Sequence, residues 1–138
     1  MSFYLDASFL VPLFVDDDWT ERALAWAATE PEVVVSDWAV TEFSSALSLH
    51  VRKGRLDPQE RDEAENALNW WLTGRVKEEP LDPEDASQAR LLLHRHGKLR
   101  APDALHLAIA LRLAAGMVTY DVDLATAARA EGVMVTTP

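Results

Sequence analysis

Cysteine is absent from the 138 residues, which excludes disulfides, thiolate-bound zinc, iron–sulfur clusters and thiol nucleophiles and agrees with a reducing cytoplasm. Long apolar runs are also missing: none reaches the roughly 18–20 residues that a membrane span requires. The opening Met1-Ser2-Phe3-Tyr4-Leu5-Asp6 has no basic segment and meets an acid too early for a signal peptide. A soluble, cytoplasmic protein with no membrane association is expected. Bases are scarce, 13 Lys+Arg against 23 Asp+Glu, for a formal net charge of -10. That balance runs against the positive surplus of most nucleic-acid binders.

The bases that do occur fall into two groups, His50, Arg52, Lys53 and Arg55, then His94, Arg95, His96, Lys98 and Arg100. Each group is compatible with phosphate binding and equally with a solvated helix end favoured by the helix dipole. Hydrophobic residues make up 49% of the chain, enough to bury a core, and the length suits one domain over residues 1–138. No repeat, low-complexity tract or long linker divides it.

Short apolar runs at Phe3-Tyr4-Leu5, Val33-Val34-Val35, Met117-Val118-Thr119 and Val133-Met134-Val135 read as strands, with a weaker candidate near Val76. Between them lie helical patterns. Asp57-Pro58 with Glu60, Asp82-Pro83 with Asp85, and Ala101-Pro102-Asp103 mark helix starts, and Asp18 ahead of Glu21 reads as another. Gly54, Gly97, Gly116 and Gly132 fall where helices should stop. The alternation predicts an α/β domain: a mainly parallel sheet of about five strands flanked by about seven helices.

In open parallel sheets ligands bind beyond the carboxyl ends of the strands, so acids that follow strands are the first candidates for chemistry. Asp6 follows Phe3-Tyr4-Leu5, and Asp121 closes Thr119-Tyr120-Asp121. Asp103 leads a helix, Ala104 to Ala115, that is apolar nearly all round and is therefore expected in the middle of the fold. Glu42 borders the stripe Val40, Phe43, Leu47 and Val51 of the helix from Trp38 to Lys53. Singly, Asp103 is also explained as a complement to the helix dipole and Glu42 as a surface residue. Four acids at element edges suit Mg²⁺ or Mn²⁺, hard cations that prefer carboxylate oxygen. His94, His96 and His106 form no zinc motif, and His106 reads as a packed core imidazole.

The segments Tyr4-Leu5-Asp6-Ala7-Ser8, Thr41-Glu42, Arg100 to Ala110 (RAPDALHLAIA) and Thr119 to Leu124 (TYDVDL) resemble the PIN-domain family, most closely its VapC-type toxins. The resemblance spans the chain in the family's order, and its most specific segment surrounds Asp103. Departures from the family pattern are few, though the region from Arg55 to Gly74 carries no family motif. The resemblance implies Asp6, Glu42, Asp103 and Asp121 as the catalytic, metal-gathering cluster. Thr119 becomes a supporting hydroxyl and Ser8 a hydrogen-bonding neighbour of Asp6. Asp123 is either a fifth acid or a cap of the helix that begins there.

The activity so implied is endonucleolytic hydrolysis of RNA with Mg²⁺, Mn²⁺ substituting, through metal-activated water. The implied partners are an RNA substrate, a cognate antitoxin of a type II toxin–antitoxin pair, and a second copy in a homodimer. A net charge of -10 would speed encounter with a basic antitoxin and resist indiscriminate RNA binding. Trp70-Trp71 lies on the helix from Pro58 to Gly74, and adjacent helical residues point about 100° apart. Either one tryptophan serves a dimer or antitoxin contact, or both are packed inside. The main alternative function is a non-cleaving PIN-like module that binds RNA or protein. Other acid-and-metal folds fit less well: Lys98 is the last lysine, too early for a receiver-type site. Ser8 stands where a haloacid-dehalogenase-like phosphatase needs a second aspartate, and Leu10 where an adhesion-type metal loop needs a second serine.

Overall fold

The structure, a computed structural model, describes residues 1–74 and 76–138. Among these, five strands and seven helices alternate in the order β1 (Phe3–Leu5), α1 (Ala7–Phe14), α2 (Thr20–Ala27), β2 (Val33–Ser36), α3 (Asp37–Arg52), α4 (Pro58–Leu72), β3 (Lys77–Glu79), α5 (Pro83–Arg95), α6 (Ala101–Arg112), β4 (Gly116–Val118), α7 (Val122–Ala130) and β5 (Val135–Thr136). The sheet order is β3-β2-β1-β4-β5, and every neighbouring pair is parallel. The chain builds outward from β1 to β2 and β3, then crosses to the opposite side of β1 with β4. Its direction of winding therefore reverses at the β1–β4 boundary, where an open sheet leaves a crevice beyond the strand ends.

Alternation along each strand divides the core in two. Tyr4 and Met117 enter a cluster with Leu92, Leu107, Ile109 and Leu124, from α5, α6 and α7. Leu5 and Val118 enter another with Phe9, Leu10, Phe43, Leu47 and Leu68, from α1, α3 and α4. Successive strand residues face opposite layers, so both faces must be covered. No helix among the described residues is long and apolar enough to cross a membrane.

Local chemistry accounts for the boundaries. Asp57 and Asp82 each close a capping box, with Glu60 and Asp85 as the reciprocal acids and Pro58 and Pro83 in the first turn. Gly54 and Gly132 have φ of 70° and 80°, the left-handed conformation that favours glycine after a helix.

Three expectations need correction. Gly116 is no helix stop but the first residue of β4, and a Cβ there would meet the Phe3 ring at 3.0 Å; α6 has already ended at Arg112. Asp18 does not start α2: the Asp17 carboxylate takes the Trp19 N–H at 2.8 Å and Thr20 Oγ1 takes the Asp17 N–H at 2.9 Å, so the turn is organised one residue earlier. The last strand falls at Val135–Thr136, not Val133–Val135, because Gly132 and Val133 complete the turn out of α7. The weaker strand candidate near Val76 is present as β3, the charged Lys77–Glu79, an edge strand whose exposure removes the apolar signature of its central neighbours. The tryptophan pair is divided: Trp71 packs on Phe14 with ring centroids 5.8 Å apart, while Trp70 is 79% exposed.

Candidate active site

Asp6 leaves the end of β1 and caps α1, so its carboxylate sits at the crevice where the winding reverses. It is buried, and three donors hold it: Ser8 Oγ–H at 2.7 Å and the Phe9 N–H at 3.1 Å on Oδ1, and Thr119 Oγ1–H at 2.6 Å on Oδ2. Burial raises its pKa, against the opposing influence of these donors. Thr119 follows β4 and accepts the Asp121 N–H at 3.0 Å, while Ser8 Oγ accepts the Tyr120 N–H at 2.9 Å. Two hydroxyls thus join the ends of β1 and β4.

Asp121 caps α7, its Oδ1 taking the Leu124 N–H at 2.7 Å. Asp123 is exposed in the first turn of the same helix; the cap belongs to Asp121, so the alternative role for Asp123 as helix cap is not the one observed. Asp103 stands in the first turn of α6, its side chain 15% exposed, with Arg100 Nε 3.9 Å from Oδ2. Its pKa is pushed up to about 6, first by burial and then by repulsion from Asp121 and, more weakly, Glu42; Arg100 pulls the other way. Glu42 lies on α3, partly buried, and its Oε2 meets His106 Nε2.

The structure thus brings Asp6, Ser8, Thr119 and Asp121 into one bonded network and couples Asp103 electrostatically to Asp121 and Glu42. Among the described residues, no three acids or histidines close on one point as a finished metal cage. The donor set nonetheless fits a hard divalent cation: every candidate ligand is a carboxylate oxygen, and the burial and carboxylate repulsion that raise Asp103 are the strain a cation relieves.

Sequence reasoning missed one part of the site. His106 is buried, as a packed core imidazole should be, but both its ring nitrogens are bonded, one to Tyr4 and one to Glu42. The signal in the sequence was its position three residues after Asp103, which puts both on one helix face.

The two basic groups separate. Arg95 and His96 are engaged by Glu131 at 2.9 and 2.7 Å, a helix-end ion cluster. Arg100, from the second group, instead joins Arg52 and His50 of the first in lining a cleft that also contains Ser8, Asp17 and Glu42, so two guanidinium groups share a cleft with Glu42.

The family model of the PIN domain matches residues 3–130. No curated protein matches the chain in sequence. Similar solved structures include VapC20 of Mycobacterium tuberculosis, described as a sarcin–ricin-loop-cleaving toxin, with 21% identity, 99% of each chain covered and a TM-score of 0.75. VapBC2 of Rickettsia felis bound to a DNA fragment from its promoter has 16% identity, 99% and 98% coverage and a TM-score of 0.69. A toxin–antitoxin complex from Klebsiella pneumoniae has 21% identity, 98% and 96% coverage and a TM-score of 0.65. With a family match over nearly its whole length and a five-stranded parallel sheet wound as described, the chain belongs to the PIN-domain family.

Proposed function

We propose that the chain is a Mg²⁺-dependent endoribonuclease, a single nuclease domain acting in the cytoplasm as the toxin of a type II toxin–antitoxin pair. The observation that carries this reading is the set of acids at the β1–β4 crevice: a buried Asp6 tied to Thr119, and an Asp103 raised to about 6 by burial and Asp121. Asp6, Glu42, Asp103 and Asp121 would hold the cation, with Mn²⁺ as a substitute. Bound there, it supplies neutralisation of phosphate charge and activation of water.

The chain's own residues supply orientation. Asp6 is fixed by donors on both carboxylate oxygens, so it presents a single geometry without reorganising. Ser8 and Thr119 keep that geometry by locking the loop after β4 to the start of α1. Arg100 and Arg52 give a phosphate backbone counter-charges along the cleft, and His50 beside them offers a ring nitrogen for hydrogen bonding. The net charge of -10 keeps affinity for RNA elsewhere on the surface low.

The VapBC2 and Klebsiella complexes support an antitoxin as partner. A basic antitoxin would be drawn to the acidic protein, and an inserted arginine could occupy the acid cluster in place of metal. A homodimer is the assembly we propose, with the exposed Trp70 available for a partner contact.

The test is incubation of the purified, antitoxin-free protein with pooled cellular RNA in Mg²⁺ or Mn²⁺, beside EDTA and Asp103→Asn controls, with sequencing of new ends. Discrete cuts absent from both controls support the nuclease. Metal and RNA binding without cuts would move the assignment to a non-cleaving binding module.

A further inference from the structure

Of the four acids, Glu42 alone sits on the flank of a helix, away from a strand end or a helix start. Its backbone leaves several rotamers open, so another group must fix its carboxylate. That group is His106, whose Nε2 meets Glu42 Oε2. The other ring nitrogen, Nδ1, is 2.7 Å from the Tyr4 hydroxyl, which is 2.7 Å from Ser36 Oγ. Ser36 Oγ in turn takes the Ala39 N–H at 3.1 Å. Tyr4, Ser36 and His106 are all buried. The chain of bonds leaves α3 at its first turn and returns to it about one turn later, at Glu42.

Counting donors gives this chain a direction. The Ala39 N–H can only donate. Ser36 Oγ has two partners among the described residues, the Ala39 N–H and the Tyr4 hydroxyl, so its own hydrogen goes to the Tyr4 oxygen. The Tyr4 hydrogen is then free for His106 Nδ1, which accepts it, and the ring hydrogen lies on Nε2, facing Glu42. The reverse order would strand the buried Ser36 O–H without an acceptor, which costs the full desolvation of that group. Burial also pushes the Tyr4 phenol far above its ordinary range, so it remains a donor.

We infer that His106 is a positioning residue: Tyr4 and Ser36 fix its hydrogen on Nε2, and this N–H holds the Glu42 carboxylate in one orientation. What Glu42 then does rests on the nuclease reading above. The tautomer and its hold on Glu42 are properties of the metal-free protein.

The first measurement is the ring-nitrogen chemical shifts of ¹⁵N-histidine-labelled, metal-free protein. The expected spectrum has His106 Nδ1 as an unprotonated acceptor and Nε2 protonated, with Tyr4→Phe moving the ring toward a mixture of tautomers. A hydrogen on Nδ1 overturns the assignment. The second is Mn²⁺ affinity in His106→Leu and His106→Gln, because glutamine can return an N–H toward Glu42 while leucine returns only apolar volume. Loss of a supporting hydrogen bond typically weakens metal binding roughly 10–100-fold, so leucine should weaken Mn²⁺ about tenfold or more and glutamine should recover most of it. Equal weakening by both, in folded proteins, would reduce His106 to packing and overturn the inference. A wild type that neither binds Mn²⁺ nor cuts RNA sinks the nuclease reading instead, and the nitrogen shifts still decide the role of His106.

Discussion

Thr119 Oγ1 donates to Asp6 Oδ2 at 2.6 Å, across 113 positions of sequence. One hydroxyl therefore holds together the two strand ends on which the candidate site is built, and through its bond from the Asp121 N–H it sets Asp121 as well. Thr119→Val keeps the shape and removes the donor, leaving a buried carboxylate oxygen short of a partner. The expected loss is about 1–3 kcal/mol of stability, with Thr119→Ser near wild type; urea denaturation of the three proteins measures it.

Asp103→Asn is the cleaner test of the acids than Asp6→Asn. All three neighbours of Asp6 donate to it, so an amide there must point its own N–H at a donor. Asp103 has no such cage, and its replacement should abolish RNA cleavage while leaving the thermal midpoint at or above that of wild type. Full activity in a folded Asp103→Asn protein would remove that residue from the site.

The raised pKa of Asp103 predicts a sign for stability against pH. In the folded protein it lies at about 6, above the ordinary aspartate value of 3.8, so between these limits the folded state holds more protons than the unfolded one. The group's contribution is most favourable below about pH 4 and is lost as pH rises through about 6, falling by at most about 1.4 kcal/mol for each pH step of one between those limits. Metal-free protein should gain stability from this group on going from pH 7 to pH 5, and Asp103→Asn should lose that gain. Saturating Mg²⁺ should flatten the dependence, which denaturation at a series of pH values will show.

Arg112 holds a second acid cluster away from the site. Its Nε and Nη2 reach the two oxygens of the buried Asp85 at 2.7 and 3.0 Å, and Nη1 reaches Glu79 at 2.7 Å. The end of α6 is thereby tied to the start of α5 and to edge strand β3. Arg112→Ala should cost about 3–5 kcal/mol by leaving Asp85 buried and unpaired, a loss that urea denaturation would read directly. Lysine should rescue little, having no fork to match the carboxylate.

The tryptophan pair gives a paired control. Trp71→Ala should destabilise by roughly 3 kcal/mol through lost packing against Phe14. Trp70→Ala, at an exposed position, should change stability by no more than about 0.5 kcal/mol. A large thermal shift in Trp70→Ala would mean that the side chain is covered in solution.

Much of this was legible in the chain because the signals were local. Capping boxes at Asp57 and Asp82 need only residues three apart, and strands buried on both faces announce themselves as runs of valine. Acids following strands could be singled out because chain direction and sheet polarity are linked. The edge strand β3 was faint because an exposed edge does not need apolar residues, and Gly116 was misassigned because its close neighbour Phe3 lies at the far end of the sequence.

What the sequence determined by itself was the order of elements, the parallel sheet and the four acids as candidates, since each depends on spacing within one segment. The tertiary structure decided which side chains meet. It set Thr119 on Asp6, split Trp70 from Trp71, and placed His106 between Tyr4 and Glu42. Those relationships join residues up to 113 positions apart, and only the packing of the β1–β4 crevice against α3 and α6 brings such residues within reach of one another.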